Sequence, residues 1–96
     1  MSMFPLEIMK VTDKSMEPYL KYGNFIFIDK WGRHFAANDV VVFYHPKKVM
    51  LLVKRIIRKD GESFFVEGDN KELSEDSRRF GPVPRGNIVG RVLFKV

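Results

Sequence analysis

The 96-residue sequence contains no cysteine, and its only two histidines, His34 and His45, lie apart from each other and from any carboxylate cluster. The absence of cysteine excludes a disulfide framework, a thiolate zinc site and a cysteine nucleophile. It leaves the redox compartment open. Because the histidines are isolated, the sequence predicts no metal site and no other cofactor, and both histidines are expected in loops.

Long apolar runs are also missing, since stretches such as 49–53 fall far short of the roughly 20 residues that a helix needs to cross a membrane. The N-terminal stretch MSMFPLEIM is apolar, but Pro5 and Glu7 interrupt it and no basic segment precedes it, so it is not typical of a cleavable signal sequence. We interpret it as part of a first strand; the alternative is an edge that touches a membrane or a second copy. The expectation is a cytoplasmic protein without stable membrane insertion, whose oligomeric state the sequence leaves open.

The composition is typical of one small folded domain covering residues 1–96, with 45% hydrophobic and 30% charged residues. The formal net charge of +5 makes nucleic-acid binding a hypothesis to consider. Basic residues occur as scattered pairs with acidic residues between them, which is more typical of a solvated surface, so no nucleic-acid partner is predicted. The alternative from a different class is a non-enzymatic basic β-barrel that binds single strands through exposed Phe35, Tyr44 and Phe80.

Short runs of β-branched and aromatic residues alternate with turn signals at intervals of about 8–12 residues, which predicts an all-β domain. The segment 71–79 is polar and is expected to be irregular, with one helical turn at most. The glycine in the final run predicts a β-bulge. The fold class is therefore a small coiled β-barrel or sandwich of about six or seven strands. The strand-like runs are LEIMKVT, FIFID, NDVVVFY, VMLLVKRII, SFFVE and IVGRVLFKV.

The run LLVKRII places a base on an apolar face of its strand, because alternation puts Leu52, Lys54 and Ile56 on one side. One interpretation is an edge strand in which Lys54 or Arg55 extends into water and prevents aggregation. The other is chemical: a lysine among apolar groups loses hydration, so its pKa falls from about 10.4 towards neutrality. A neutral amine can take the proton of a serine hydroxyl, which arginine cannot do. Lys54 is the candidate general base.

Ser15, in the stretch DKSMEPYL, is by itself more typical of a turn residue, since it comes shortly before a proline. The order of motifs changes that interpretation. SMEPYL is followed by NDVVVF, LLVKRII, GDNKELSEDSRRFGPV and a terminal GRV strand. This order, over residues 11–92, resembles the type I signal peptidases, which are serine endopeptidases with a Ser-Lys dyad and a β-rich catalytic core.

The resemblance implies roles for particular residues. Ser15 would be the nucleophile, with its own backbone N–H as one oxyanion-hole donor, and Lys54 would be the general base. Ser74 would hydrogen-bond the lysine amine and orient it, while Asp76 and Arg78 would form a buried or semi-buried ion pair that braces this segment. The remaining supporting residues would be Gly68 and Asp69 in the turn and Ser77 beside the ion pair. The alternative for SEDSR is a helix N-cap with a surface salt bridge.

The resemblance also implies how a protein substrate binds. An extended N-terminal peptide would add as a strand between residues 10–12 and 51–53, with alternate side chains entering shallow pockets. The proposed pocket walls are Val11, Met16, Leu20, Leu52 and Val53. The alternative is that these five residues belong to the core.

Three features differ from the usual pattern of that family. This stretch has no transmembrane anchor, and the short separation of Lys54 from Gly68 leaves no room for a large β insertion. Asp13 stands where a serine hydroxyl or a glycine usually assists the oxyanion hole, so the second oxyanion donor stays open. A carboxylate there repels the developing negative charge unless it points away or pairs, for example with Lys14.

A small chain with these features resembles the soluble branch of the family, the maturation proteases of nickel superoxide dismutase. The predicted function is removal of an N-terminal leader or propeptide, with that superoxide dismutase as the suggested substrate. Alternatives are the catalytic core of a membrane-anchored signal peptidase, which would be membrane-associated, the self-cleaving domain of SOS-type repressors, and a catalytically silent relative.

Overall fold

The computed structural model describes residues 5–96, which form seven strands and three short helical segments. The strands are β1 (Leu6–Lys10), β2 (Phe25–Asp29), β3 (Val40–Tyr44), β4 (Leu51–Asp60), β5 (Ser63–Glu67), β6 (Val83–Pro84) and β7 (Ile88–Lys95). A one-turn helix, α1, spans Ser77–Phe80, and 3₁₀ turns span Lys71–Leu73 and Arg85–Asn87. The segment 71–79 is largely irregular as predicted, but it contains both a 3₁₀ turn and the start of α1, where the sequence predicted one helical turn at most.

The strands form one antiparallel sheet in the order β1-β2-β7-β3-β4-β5-β6, curled into a half-barrel. This confirms the predicted all-β class and strand number. The central strand β3 is covered on both faces, because Val41 and Phe43 belong to one core cluster while Val40 and Val42 belong to the other. A strand buried on both faces is expected to be apolar throughout, as VVVF is.

The predicted bulge near Gly90 is present in β7. Val42 of β3 lies opposite Gly90, whereas the next residue, Phe43, lies opposite Ile88, so β7 contains one extra residue. Gly90 also lies close to β2: a Cβ atom there would be 2.4 Å from the carbonyl oxygen of Asp29. The glycine is needed because β2 and β7 approach each other closely at this point.

Two predictions about the surface can be compared with the structure. Phe35 and Phe80 are buried in the core, and of the three aromatic residues suggested for stacking on nucleic acid only Tyr44 is exposed. Residues 1–4 of the stretch MSMFPLEIM lie outside the described residues, and its remainder enters β1 at Leu6. Within residues 5–96, no helix has the length and apolar character required to cross a bilayer.

Candidate active site

Lys54 is buried in the middle of β4. Its side chain lies on the same face as the buried Leu52 and Ile56, and only 1% of its surface is exposed. The interpretation of Lys54 as an outward-pointing edge residue is therefore wrong. The neighbouring base, Arg55, lies on the other face, where its guanidinium makes two hydrogen bonds to the Asp69 carboxylate at 2.9 and 2.8 Å.

Burial lowers the pKa of Lys54 below its ordinary value, because the ammonium ion loses water more unfavourably than the neutral amine does. Three carboxylates, on Asp13, Asp76 and Glu75, oppose this effect, and the Arg78 guanidinium adds to it. The desolvation effect is the largest. A lysine with a lowered pKa is neutral in a larger fraction of molecules near pH 7, as a general base must be.

Ser15 lies in the turn that follows β1, and its side chain is buried against Lys54. The Lys54 Nζ donates a hydrogen bond of 2.7 Å to Ser15 Oγ, joining residues that are 39 positions apart. The two side chains are within direct proton-transfer distance, since 2.6–3.2 Å is the usual range for a nucleophile and its base.

Asp13 contacts the same serine. Its Oδ1 accepts one hydrogen bond from the Ser15 backbone N–H at 3.1 Å and one from Ser15 Oγ at 3.0 Å. The carboxylate therefore neither points away nor forms an ion pair with Lys14 in the part of the chain that the structure describes. The expectation of a free Ser15 N–H as oxyanion donor needs correction, because Asp13 occupies that group in this arrangement.

Ser74 has a different partner from the one expected. Its hydroxyl donates to Asp76 Oδ2 at 2.6 Å and accepts the Gly68 N–H at 3.1 Å. Across residues 5–96 no hydrogen bond links Ser74 to Lys54. The physical reason is that a buried, ionised carboxylate is a stronger acceptor than a lysine amine. Ser74 thus supports Asp76, whose charge in turn acts on Lys54.

Asp76 is the most heavily hydrogen-bonded carboxylate near the site, and its side chain is fully buried. It accepts bonds from Arg78 Nε at 2.9 Å, Arg78 Nη2 at 3.0 Å and the Gly68 N–H at 2.9 Å. Asp76 also caps α1, because its side chain accepts a hydrogen bond from the Arg78 backbone N–H. The same residue is therefore both the N-cap of the helix and the acid of the ion pair. In the described part of the chain the Ser77 hydroxyl does not bond to this ion pair; it accepts a hydrogen bond from the Val66 backbone N–H at 2.9 Å.

Burial by itself raises the pKa of Asp76, but hydrogen bonds from Arg78, Ser74 and Gly68 outweigh burial and lower the pKa to about 2. Since the folded value lies below the ordinary 3.8, the ionised carboxylate stabilises the fold above that pH, and the stabilisation is lost as the pH falls towards 2. By linkage the loss is about 2 kcal/mol.

We expect urea unfolding of the parent protein to show this decline in the free energy of unfolding between pH 5 and about 2. Asp76→Asn is expected to be less stable at neutral pH and to show a smaller decline. Asp60→Asn, which changes an exposed acid at the end of β4, should behave as the parent does. An equal decline in the parent and in Asp76→Asn would contradict the assignment.

Asn70 was missed as a site residue, although it ends the GDN string that marked the turn. Its backbone N–H donates to the Ser15 carbonyl at 2.8 Å, and its side-chain amide donates to the Lys14 carbonyl at 3.1 Å. Gly68 also lies under Ser15: a Cβ there would be 2.6 Å from the Ser15 carbonyl oxygen. The turn therefore fixes the segment that carries Ser15, a role that the string GDN by itself did not indicate.

A small groove lies between the end of β1 and the start of β4, and Asp13 and Met16 in its lining flank Ser15 in the sequence. β4 pairs with β5 only from Arg55 onwards. Within the described residues, Leu51 to Val53 therefore have a neighbouring strand on one side only, which is β3. β1 likewise pairs only with β2 there. All five predicted pocket residues line this groove, and those that are fully buried also belong to the core. The lining residues are Met9, Lys10, Val11, Thr12, Asp13, Met16, Leu20, Leu51, Leu52 and Val53.

Comparison with known proteins gives the class to which this curled antiparallel sheet belongs, the signal-peptidase-type serine endopeptidases. The chain belongs to the Peptidase S24-like family, whose model matches residues 5–93.

Relatives with curated names support the same class. Mitochondrial inner membrane protease subunit 1 of Xenopus tropicalis is 29% identical over 94% of this chain and 68% of that protein. Probable signal peptidase I-1 of Synechocystis is 24% identical over 96% of this chain and 71% of that protein. Signal peptidase I V of Bacillus subtilis is 26% identical over 84% of this chain and 80% of that protein. The resemblance to the type I signal peptidases is thereby confirmed.

Proposed function

We propose that this chain is a serine endopeptidase in which Ser15 is the nucleophile and Lys54 the general base, and that it removes an N-terminal leader or propeptide from a protein substrate. The observation that carries the proposal is the 2.7 Å hydrogen bond between the buried Lys54 Nζ and Ser15 Oγ. Lys54 supplies the base that Ser15 needs, because a serine hydroxyl is too weakly acidic to attack a peptide carbonyl unless a base takes its proton.

The reaction has two stages. In the first, neutral Lys54 takes the Ser15 hydroxyl proton while Oγ bonds to the scissile carbonyl carbon; the C–N bond then breaks, and the lysine proton passes to the leaving amine. This leaves an ester on Ser15. In the second, Lys54 takes a proton from water, whose oxygen attacks the ester carbon. The acid product leaves, and the proton returns to Ser15 Oγ.

The groove supports an extended substrate. Leu51 to Val53 and the β1 end offer backbone groups to a peptide strand, and the side chains of Met16 and Leu20 border the positions next to Ser15. We further propose the propeptide of nickel superoxide dismutase as the substrate, on the basis of the short connection between Lys54 and Gly68. The second candidate is the catalytic core of a membrane-anchored signal peptidase, which the names of the curated relatives favour.

An active-site label tests the chemistry. A p-nitrophenyl ester of a short peptide ending in alanine should acylate the parent protein and add the mass of the acyl group, and peptide mapping should place the label on Ser15. Ser15→Ala should not be labelled. Ser63→Ala, a change of a serine at the start of β5, should be labelled as the parent is. Unchanged labelling of Ser15→Ala would contradict the proposal.

A pair of precursors distinguishes the two candidate substrates. The protein is incubated with the nickel superoxide dismutase precursor and, separately, with a secretory precursor, and the new N-termini are sequenced. Cleavage of the first alone supports the narrower proposal. Cleavage of the second supports the signal peptidase candidate, and cleavage of neither contradicts both.

A further inference from the structure

The hydrogen bonds around Ser15 are arranged for a resting state and not for attack. Ser15 Oγ donates a hydrogen bond to Asp13 Oδ1, while Lys54 Nζ donates one to Ser15 Oγ. For attack, both directions must change: the lysine must accept the serine proton, so its nitrogen must offer a lone pair. The Asp13 carboxylate competes with the lysine for that proton.

Asp13 opposes the reaction in two further ways. It occupies the Ser15 backbone N–H, which is the group placed to bind the developing oxyanion. It also holds a negative charge near the place where the substrate carbonyl oxygen becomes negatively charged, and low dielectric in a filled groove would strengthen this repulsion. A single rotation of the Asp13 side chain removes all three effects. Asp13 is exposed and has no ion-pair partner in the range 5–96, so water can receive the displaced carboxylate.

We propose that Asp13 is a positioning residue that holds the Ser15–Lys54 pair in a closed resting state, and that a substrate strand entering the groove must displace its carboxylate before Ser15 attacks. This inference rests on the proposed function. It accounts for the position of Asp13 in the groove lining next to Thr12, where an extended peptide would contact it. The substrate carbonyl takes the Ser15 N–H as Asp13 leaves.

A purely structural role is the competing interpretation, because an aspartate that accepts the N–H two residues later is a common turn stabiliser. The rate near neutral pH separates the two, because loss of a turn stabiliser should lower activity, whereas loss of a competing carboxylate should raise it. The charged groups that act on Lys54 are Asp13, Asp76, Glu75 and Arg78, and of these Asp13 alone contacts the serine. Because the Asp13 charge raises the pKa of Lys54, its removal should move the acidic limb of activity to lower pH.

Two variants test the proposal in leader cleavage measured across pH. Asp13→Asn removes the charge but keeps an oxygen that can cap the Ser15 N–H, whereas Asp13→Ala removes both the charge and the cap. We expect both to shift the acidic limb of kcat/KM to lower pH. We expect Asp13→Ala to raise kcat/KM near neutral pH by about 2- to 10-fold, the equivalent of one hydrogen bond. The rise in Asp13→Asn should be smaller.

Asp60→Asn is the matched control, since it removes an exposed acid far along β4, and its profile should equal that of the parent. A kcat/KM for Asp13→Ala near neutral pH at or below the parental value would overturn the inference, even if the acidic limb moves, because loss of the charge moves that limb in either interpretation. Ser15→Ala belongs in the same assay. If it cleaves at the parental rate, the proposed function itself fails; if it is inactive while Asp13→Ala shows no gain in kcat/KM, only the inference about Asp13 fails.

Discussion

Lys54→Met is expected to lower kcat/KM for leader cleavage by about 10²- to 10⁴-fold, the usual contribution of a general base, and at the same time to make the fold more stable at neutral pH. Methionine has a similar length and an apolar thioether, so it can occupy the space between Leu52 and Ile56 without a buried amine. Opposite effects on activity and stability are the signature of a residue retained for chemistry.

The stability effect has a defined pH dependence. The folded pKa of Lys54 is below the 10.5 of an exposed lysine, so the unfolded chain binds more protons between the two values. The parent protein therefore becomes more stable as the pH rises through that window, and the variant does not. The advantage of Lys54→Met should be largest at neutral pH and should shrink as the pH approaches 10.5.

Urea unfolding at several pH values measures this difference, and Lys59→Met serves as the control because that lysine is exposed on the same strand. Lys59→Met should leave activity and the pH dependence of stability close to those of the parent. A Lys54→Met protein that is less stable than the parent at neutral pH would mean that the lysine amine is well paired in the fold, contrary to the desolvation argument.

Gly68→Ala is expected to damage both the fold and the nucleophile position, although it adds one methyl group. The new Cβ would lie 2.3 Å from Ser74 Oγ, 2.5 Å from Ser74 Cβ and 2.6 Å from the Ser15 carbonyl oxygen. The Ser15 carbonyl oxygen belongs to the backbone and cannot move aside as the end of a flexible side chain can. Either the segment around Ser15 or the turn that contains Gly68 must therefore move. Overpacking of this kind costs about 1–3 kcal/mol.

Thermal unfolding and leader cleavage together test this prediction. We expect a lower Tm and a large fall in kcat that persists at temperatures where Gly68→Ala is fully folded, because displacement of the Ser15 carbonyl also moves the hydroxyl away from Lys54. Gly86→Ala is the matched control, since a Cβ at Gly86 meets no atom within 4 Å. Parental activity in a folded Gly68→Ala protein would show that the turn does not position the nucleophile.

Much of the scaffold could be predicted from the sequence because strand alternation and burial follow simple periodicity. VVVF of β3 and the placement of Lys54 between Leu52 and Ile56 are examples. The proximity of Ser15 and Lys54 could not be obtained from periodicity, since they are far apart in the chain; it depended on the resemblance to a family.

The finer hydrogen bonds could not be predicted in either way. Ser74 can reach more than one acceptor, and the structure shows that it donates to Asp76. Asp13 can point to Lys14, to water or to Ser15, and the turn after β1 directs it to Ser15. Such choices depend on differences of about 1 kcal/mol between competing partners, which sequence spacing does not encode.

The unpaired backbone edges beside the groove have a consequence beyond substrate binding. An open strand edge accepts any extended chain, including the same strand from another molecule, and it is therefore a site of aggregation. In β1 the exposed charges of Glu7 and Lys10 reduce this risk, whereas Leu51 to Val53 of β4 are entirely apolar. The β4 edge is thus where the need to admit a substrate strand and the need to remain in solution conflict.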